Sequence, residues 1–151
     1  MFTQWVGPQF GAVERALASK RLLVVGESHH AEEHPVGSVV PNMTLDVFKQ
    51  YRTGPWAPWM RTFDNIAAAV NGRSKTELGR EGFNGIWDEI AFYNYIPVVA
   101  ASAARQRPSP DHFAAGATAV EARLGCGGFL HCLNKLIEAI RAQTGPCRCR
   151  I

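Results

Sequence analysis

"RLLVVGESHHAEE", residues 21–33, is the stretch on which the reading of the fold turns. Leu22 to Val25 form a continuous apolar run that stops at Gly26. Such a run is typical of a parallel strand covered on both faces. Immediately beyond it come Glu27, Ser28, His29, His30, Glu32 and Glu33. In an open α/β sheet, ligands bind past the carboxyl ends of the strands, where these proton-handling groups stand. Gly26 allows a sharp turn and a close approach by a ligand. Glu27 is then placed to act as a general base that orients or activates water. Its structural alternative is a helix-capping carboxylate.

Working outward, "PQFGAVERALASK" puts Phe10, Val13 and Leu17 on one face and predicts a short helix. Residues 27–41 read as a loop closed by Pro35 and Pro41. "NMTLDVFKQYRTG" predicts a helix capped at Asn42 or Thr44 and stopped by Gly54. "PWAPW" reads as a stiff turn. "MRTFDNIAAAVNG" carries Met60, Phe63, Ile66, Ala67 and Val70 at helical intervals and ends at Gly72. "GRSKTELGREG" reads as a polar connection, and "FNGIWDEIAFYNYIPVV" as a short helix followed by a second strand over 91–96. A proline-punctuated basic loop, "ASAARQRPSP", leads to a helix capped by Ser109 with Pro110 at its first position. Strands separated by helical crossovers imply an α/β fold with a parallel sheet.

The composition is that of an ordinary globular protein: 151 residues, 46% hydrophobic and 19% charged. No apolar run reaches the ~18 residues that a membrane span needs. "MFTQWVGPQF" lacks a basic-then-apolar leader pattern, so the expected location is cytoplasmic, with no membrane partner. The net charge of +3 is unevenly spread. Residues 1–122 carry eleven Lys and Arg against twelve Asp and Glu, whereas residues 123–151 carry five against Glu138 alone. The basic character therefore belongs to the tail.

The end of the second strand carries chemistry too. Asn94 offers a donor and an acceptor together, the pair needed to read an amide-like edge such as that of a pyrimidine. Phe92, Tyr93 and Tyr95 flank it and could stack on such a ring, for ~1–3 kcal/mol per base. The plainer alternative is an asparagine that satisfies backbone groups in a turn. Arg105 and Arg107 are candidate phosphate contacts beside Ser109, or else a solvated basic loop. His30 and His34 with Glu33 between them admit a metal site, but Pro35 and the loop setting argue against it. "GES" hints at a nucleophilic serine, yet His30 stands where Gly-x-Ser-x-Gly needs its last glycine.

Taken in order, "LLVVGESHHAEE", "YNYIP" and "RQRPSPDHFAAG" resemble the uracil-DNA glycosylase superfamily, most closely its iron–sulfur class. There the first strand ends in a Gly-Glu-small-Pro-Gly loop followed by acidic residues, matched by Gly26, Glu27, Ser28, Glu32 and Glu33. Asn94 matches an asparagine that in the family hydrogen-bonds uracil. Arg107, Pro108, Ser109, Pro110 and Asp111 match an Arg-x-Pro-Thr-Pro-Glu run entering a helix. Over roughly residues 20–122 the resemblance implies a three-layer α/β sandwich with a small parallel sheet. It also implies hydrolysis of the N-glycosidic bond of a base flipped from DNA. Glu27 would position water; Gly26, Ser28, His29, His30, Phe92, Tyr93, Asn94 and Tyr95 would surround the base; Arg105, Arg107 and Ser109 would hold phosphate.

The departures from the family carry expectations of their own. His29 and His30 replace the loop's proline and glycine. Val98 and Gly116 stand near positions of the class's cluster cysteines, so no iron–sulfur cluster, metal or other cofactor is expected. Two later strands and a His-Pro-Ser loop have no counterpart after residue 122. The reading is of an incomplete glycosylase-like domain, 1–122, that is inactive in this form and leaves a sheet edge open to self-association. Residues 123–151 read as an atypical tail containing all four cysteines. That tail is native or the product of a lost reading frame. Its Phe129, Leu133, Leu136, Ile137 and Ile140 recur at helical spacing, and its cysteine spacings fit no tetrahedral zinc pattern. Two other functions use the same residues: a non-catalytic nucleotide- or nucleic-acid-binding relic of the fold, and a haem-binding or esterase-like Gly-Glu-x-His protein.

Overall fold

The computed structural model describes residues 2–18, 20–103 and 106–124. Expectations for Arg105 and for the tail beyond Leu124 lie outside them. The described chain is mixed α/β, with four helices and two small sheets. In chain order the elements are β1 (Trp5–Val6), β2 (Leu23–Gly26), β3 (His29–His30), α1 (Met43–Thr53), α2 (Arg61–Asn71), α3 (Lys75–Glu89), β4 (Ala91–Asn94), β5 (Val99–Ala101) and α4 (Pro110–Leu124). A 3₁₀ turn, Pro58–Met60, joins α1 to α2.

The two strands expected from the sequence are neighbours. β2 and β4 run parallel with Leu23 opposite Ala91, Val24 opposite Phe92, Val25 opposite Tyr93 and Gly26 opposite Asn94. Backbone bonds extend the pairing past the strand ends, from Tyr95 N to Gly26 O at 2.8 Å and from Ile96 N to Glu27 O at 3.0 Å. The sheet is not wholly parallel, however. β1 adds to the far edge of β4 in antiparallel sense, giving the order β1-β4-β2. Residues 27–41 are not a free loop either. β3 pairs in parallel with β5, and Gly37 and Ser38 bond the backbone of Val99 on either side.

Two further expectations are corrected. Residues 8–18 form successive turns rather than a helix. Their backbone is drawn to the end of α3 instead, with Gln9 N donating to Asp88 O and Leu17 N donating to the buried Glu89 carboxylate at 2.9 Å. Val13, expected on a buried face, is 74% exposed. The supposed polar connection after Gly72 is the start of α3. There Ser74 and Glu77 form a capping box, Ser74 N donating to Glu77 Oε2 at 2.8 Å. Bonds from the Ser74 hydroxyl and backbone hold the Glu77 carboxyl below its usual range. The helix departs from helical geometry at Gly79, whose φ of 59° a side chain would disfavour.

The core divides on the two faces of β4. Phe92 joins Phe48 and Tyr51 of α1, Met60, Ala67 of α2, and Phe83, Ile86 and Trp87 of α3. Phe48 sits at the centre of that cluster, stacked on Trp5 at 4.6 Å and edge-on to Phe63, Trp87 and Phe92. On the other face Tyr93 and Tyr95 pack with Phe2, Ile96, Val99 and Val120. The second cluster reaches α4 through Phe113 and Ala117. Ser109 caps α4 as expected, accepting from His112 N at 3.3 Å. The helix runs to Leu124, as the spacing of "SPDHFAAGATAVEARL" predicts.

Candidate functional site

Beyond the ends of β2 and β4 lies an open cleft of about 850 Å³. Its floor follows from strand alternation: residues i and i+2 share a face. Phe92 and Asn94 therefore point into the cleft, while Tyr93 and Tyr95 belong to the opposite face and the second core cluster. Of the four residues expected around a base, Phe92 and Asn94 line the cleft, Phe92 also belonging to the first core cluster, and Tyr93 and Tyr95 lie in the second. Tyr95 packs against Gly116 of α4.

Gly26 is needed for this floor. A Cβ there would stand 2.1 Å from Asn94 Oδ1 and 2.8 Å from Phe92 Cζ. Without one, the Asn94 amide and the Phe92 ring lie directly over the end of β2. Asn94 is only 5% exposed, yet its side-chain amide bonds to no described residue. Ser28 Oγ, beside it in the cleft, is likewise buried without a hydrogen-bond partner among the described residues. Burying the Ser28 hydroxyl unpaired costs ~1–3 kcal/mol. The buried carboxylates of the helical region are paired: Asp64 accepts from Tyr51 Oη at 2.8 Å, and Glu89 accepts from Leu17 N.

The other residues expected from the first loop take different parts. Glu27 is exposed at the mouth. His30 is exposed and also lines the cleft. His29 borders the cleft but is tied elsewhere. Its Nε2 lies 2.9 Å from Thr44 Oγ1 on α1, and its ring meets Phe2 edge-on at 4.6 Å. Burial, and secondarily the neighbouring His30, pushes the His29 pKa down to about 4, so its ring is neutral at pH 7. His29 thus fastens the loop to α1 rather than facing a ligand. Ser109 spends its hydroxyl on the α4 cap, and Arg107 is exposed outside the cleft.

One wall of the cleft was not anticipated. Met43, Asp46, Val47 and Gln50 recur at i, i+3, i+4 and i+7 along α1 and form a single stripe facing the cavity. Trp59, Thr62, Phe63 and Ile66 complete it from the turn and α2. The helical spacing of the α1 stripe was legible, but its mixture of polar and apolar residues resembles a solvated face. Trp59 was hidden inside a motif read only as a turn.

Charge is one-sided here. Glu27, Glu32, Glu33 and Asp46 line the cleft, and no Lys or Arg among the described residues does. No group of three or more metal-ligating side chains occurs among the described residues. The positions nearest the iron–sulfur ligands do not suit that group. Val98 has no thiolate, and any side chain at Gly116 would lie 2.6 Å from the Tyr95 ring. No described helix is long and apolar enough to cross a membrane. Comparison of the chain with known protein families, curated proteins and solved structures finds no match.

Proposed function

We propose that the chain is a uracil-DNA glycosylase-like domain whose cleft recognises a base extruded from DNA. One observation carries the reading: a nearly buried, unpartnered Asn94 amide at the floor of a cleft, one strand away from Glu27. An amide presents one donor and one acceptor, and a uracil edge presents their complement. Glu27, at the solvent end of the same cleft, is suited to holding the water that attacks the N-glycosidic bond. The parallel neighbours β2 and β4, with helices packed near both faces, are compatible with the three-layer sandwich that the sequence resemblance implies. Extrusion is required because the reactive bond is inaccessible within the stack.

The reading separates into recognition and hydrolysis. Recognition is tested by anisotropy with a labelled single-stranded oligonucleotide bearing one uracil, against the same strand with a tetrahydrofuran abasic site. Preference for uracil, lost in Asn94→Ala, is the expected result; equal affinity in the wild type contradicts the reading. Hydrolysis is tested by alkaline strand cleavage after incubation. If cleavage occurs, Glu27→Ala should slow it by ~10²–10⁴-fold. The sequence contains no His-Pro-Ser element to assist the leaving base, so cleavage by this chain is expected to be weak or absent.

A second reading, a non-catalytic base-binding relic, is favoured by the carboxylate-lined cleft with no Lys or Arg on it among the described residues. Phosphates would have to be met elsewhere, Arg107 being the described candidate. Uracil preference without cleavage is the result that selects it.

A further inference from the structure

The cleft has an aromatic wall that no motif of the sequence predicts. Trp59 lines it from the turn between α1 and α2 and is 37% exposed. Its indole meets Phe63 edge-on at 5.6 Å, and Phe63 is packed in turn against Tyr51, Trp87 and Phe92. Trp59 is therefore backed by the largest aromatic cluster among the described residues while remaining open to solvent. Pro55 and Pro58 each fix φ in the segment that carries the ring, Pro58 opening the 3₁₀ turn.

Three features of the cleft converge on one kind of ligand. Asn94 asks for a planar group with a donor and an acceptor on its edge. Trp59 offers a π surface at the rim. The carboxylates of Glu27, Glu32, Glu33 and Asp46, with no Lys or Arg beside them among the described residues, repel an anion. We propose that Trp59 is the stacking residue of this cleft and that, with the carboxylate rim, it selects an uncharged planar heteroaromatic ring over a phosphorylated one. The proposal rests on the base-recognition reading above and adds to it a specificity-determining residue and a ligand charge.

The test compares wild-type chain with Trp59→Ala, Trp59→Phe and Trp56→Phe. Trp56 is 53% exposed and lies outside the cleft, so its variant serves as the control. Preference for the uracil strand over the abasic strand should fall about tenfold in Trp59→Ala, the scale of one lost base–aromatic stack. Trp59→Phe should restore most of the preference while abolishing the quenching of tryptophan emission that accompanies binding. Trp56→Phe should keep both. Deoxyuridine should displace the labelled uracil strand at lower concentration than deoxyuridine monophosphate, with the gap narrowing as salt is added.

The outcomes are distinguishable. If Asn94→Ala loses the uracil preference and Trp59→Ala keeps it, the stacking role is overturned and the base-recognition reading stands. Stronger displacement by the monophosphate overturns the charge selection. No preference in the wild type overturns both the inference and the reading beneath it.

Discussion

The molecule buries polar side chains in two contrasting ways. Under α1–α3, Asp64 is 8% exposed, accepts from Tyr51 and lies 4.0 Å from Arg80, while Glu89 at 6% holds the backbone of Leu17. Burial, followed by the bond to Asp64, pushes the Tyr51 hydroxyl well above the usual phenol range, so this cluster holds its protons firmly. At the carboxyl ends of β2 and β4, the 5%-exposed Asn94 has a side chain that bonds to no described residue, and half-buried Ser28 has a buried Oγ without a partner among the described residues. Desolvation costs both regions alike. Asp64 and Glu89 recover it within the chain, although Arg80 Nη1 and Asn84 Oδ1 of α3, like Ser28 Oγ, are buried without a partner among the described residues. What sets Asn94 and Ser28 apart is that they line the cleft, whereas Asp64 and Glu89 hold the fold, and this contrast can be broken experimentally.

The largest effect is expected from pH, through His29, which belongs with the fold-holding groups. Its folded pKa of about 4 lies below the unfolded value of 6.5, so between those limits the unfolded chain binds the extra proton. This contribution is complete above about pH 6.5 and is lost as pH falls towards 4, amounting to ~3 kcal/mol over the full window. Urea unfolding measured across that window should show the decline, and His29→Gln should flatten it. An unchanged slope in the variant would remove His29 from the comparison.

Next comes Asp64→Ala, which strands the Tyr51 hydroxyl and deprives Arg80 of its nearest carboxylate. A loss of ~2 kcal/mol in unfolding free energy is expected. Asn94→Ala breaks no bond within the described chain and should cost under ~1 kcal/mol while erasing uracil preference. Should it destabilise the protein as much as Asp64→Ala does, Asn94 is structural and the contrast fails. Smallest is Ser28→Ala, expected to leave stability within ~0.5 kcal/mol or raise it slightly, because an unpaired buried hydroxyl is removed. Differential scanning calorimetry of these variants places them on one scale.

What the sequence showed of this arrangement was its strand ends. The apolar run to Gly26 and the "IAFYNYI" stretch mark neighbouring strands, since both lack the alternation of a half-exposed strand, but only β4 is fully buried while β2 is half-buried along its length. Helices α1, α2 and α4 were legible from spacing, glycine stops and the Ser109 cap. The misses have physical causes. Residues 8–20 carry helical spacing, but Asp88 and Glu89, some seventy positions away, capture their backbone, and local pattern cannot register such a partner. Ser74-x-x-Glu77 was a readable helix start masked by the polarity around it. Two residues of trans-strand context, β1 on β4, are too short for any period. Within the site, alternation along β4 was sufficient to separate Phe92 and Asn94 from Tyr93 and Tyr95. Trp59 required the tertiary path of the α1–α2 turn.

The central claim is that the Asn94 amide stands open for the edge of a base. It is tested most directly by following the Asn94 side-chain NH₂ resonance, assigned by its disappearance in Asn94→Ala, during titration with the uracil strand and then with the abasic strand. The account predicts a saturating shift of that resonance with the uracil strand alone. Binding of the uracil strand that leaves the Asn94 resonance in place, or an equal shift with both strands, would contradict it.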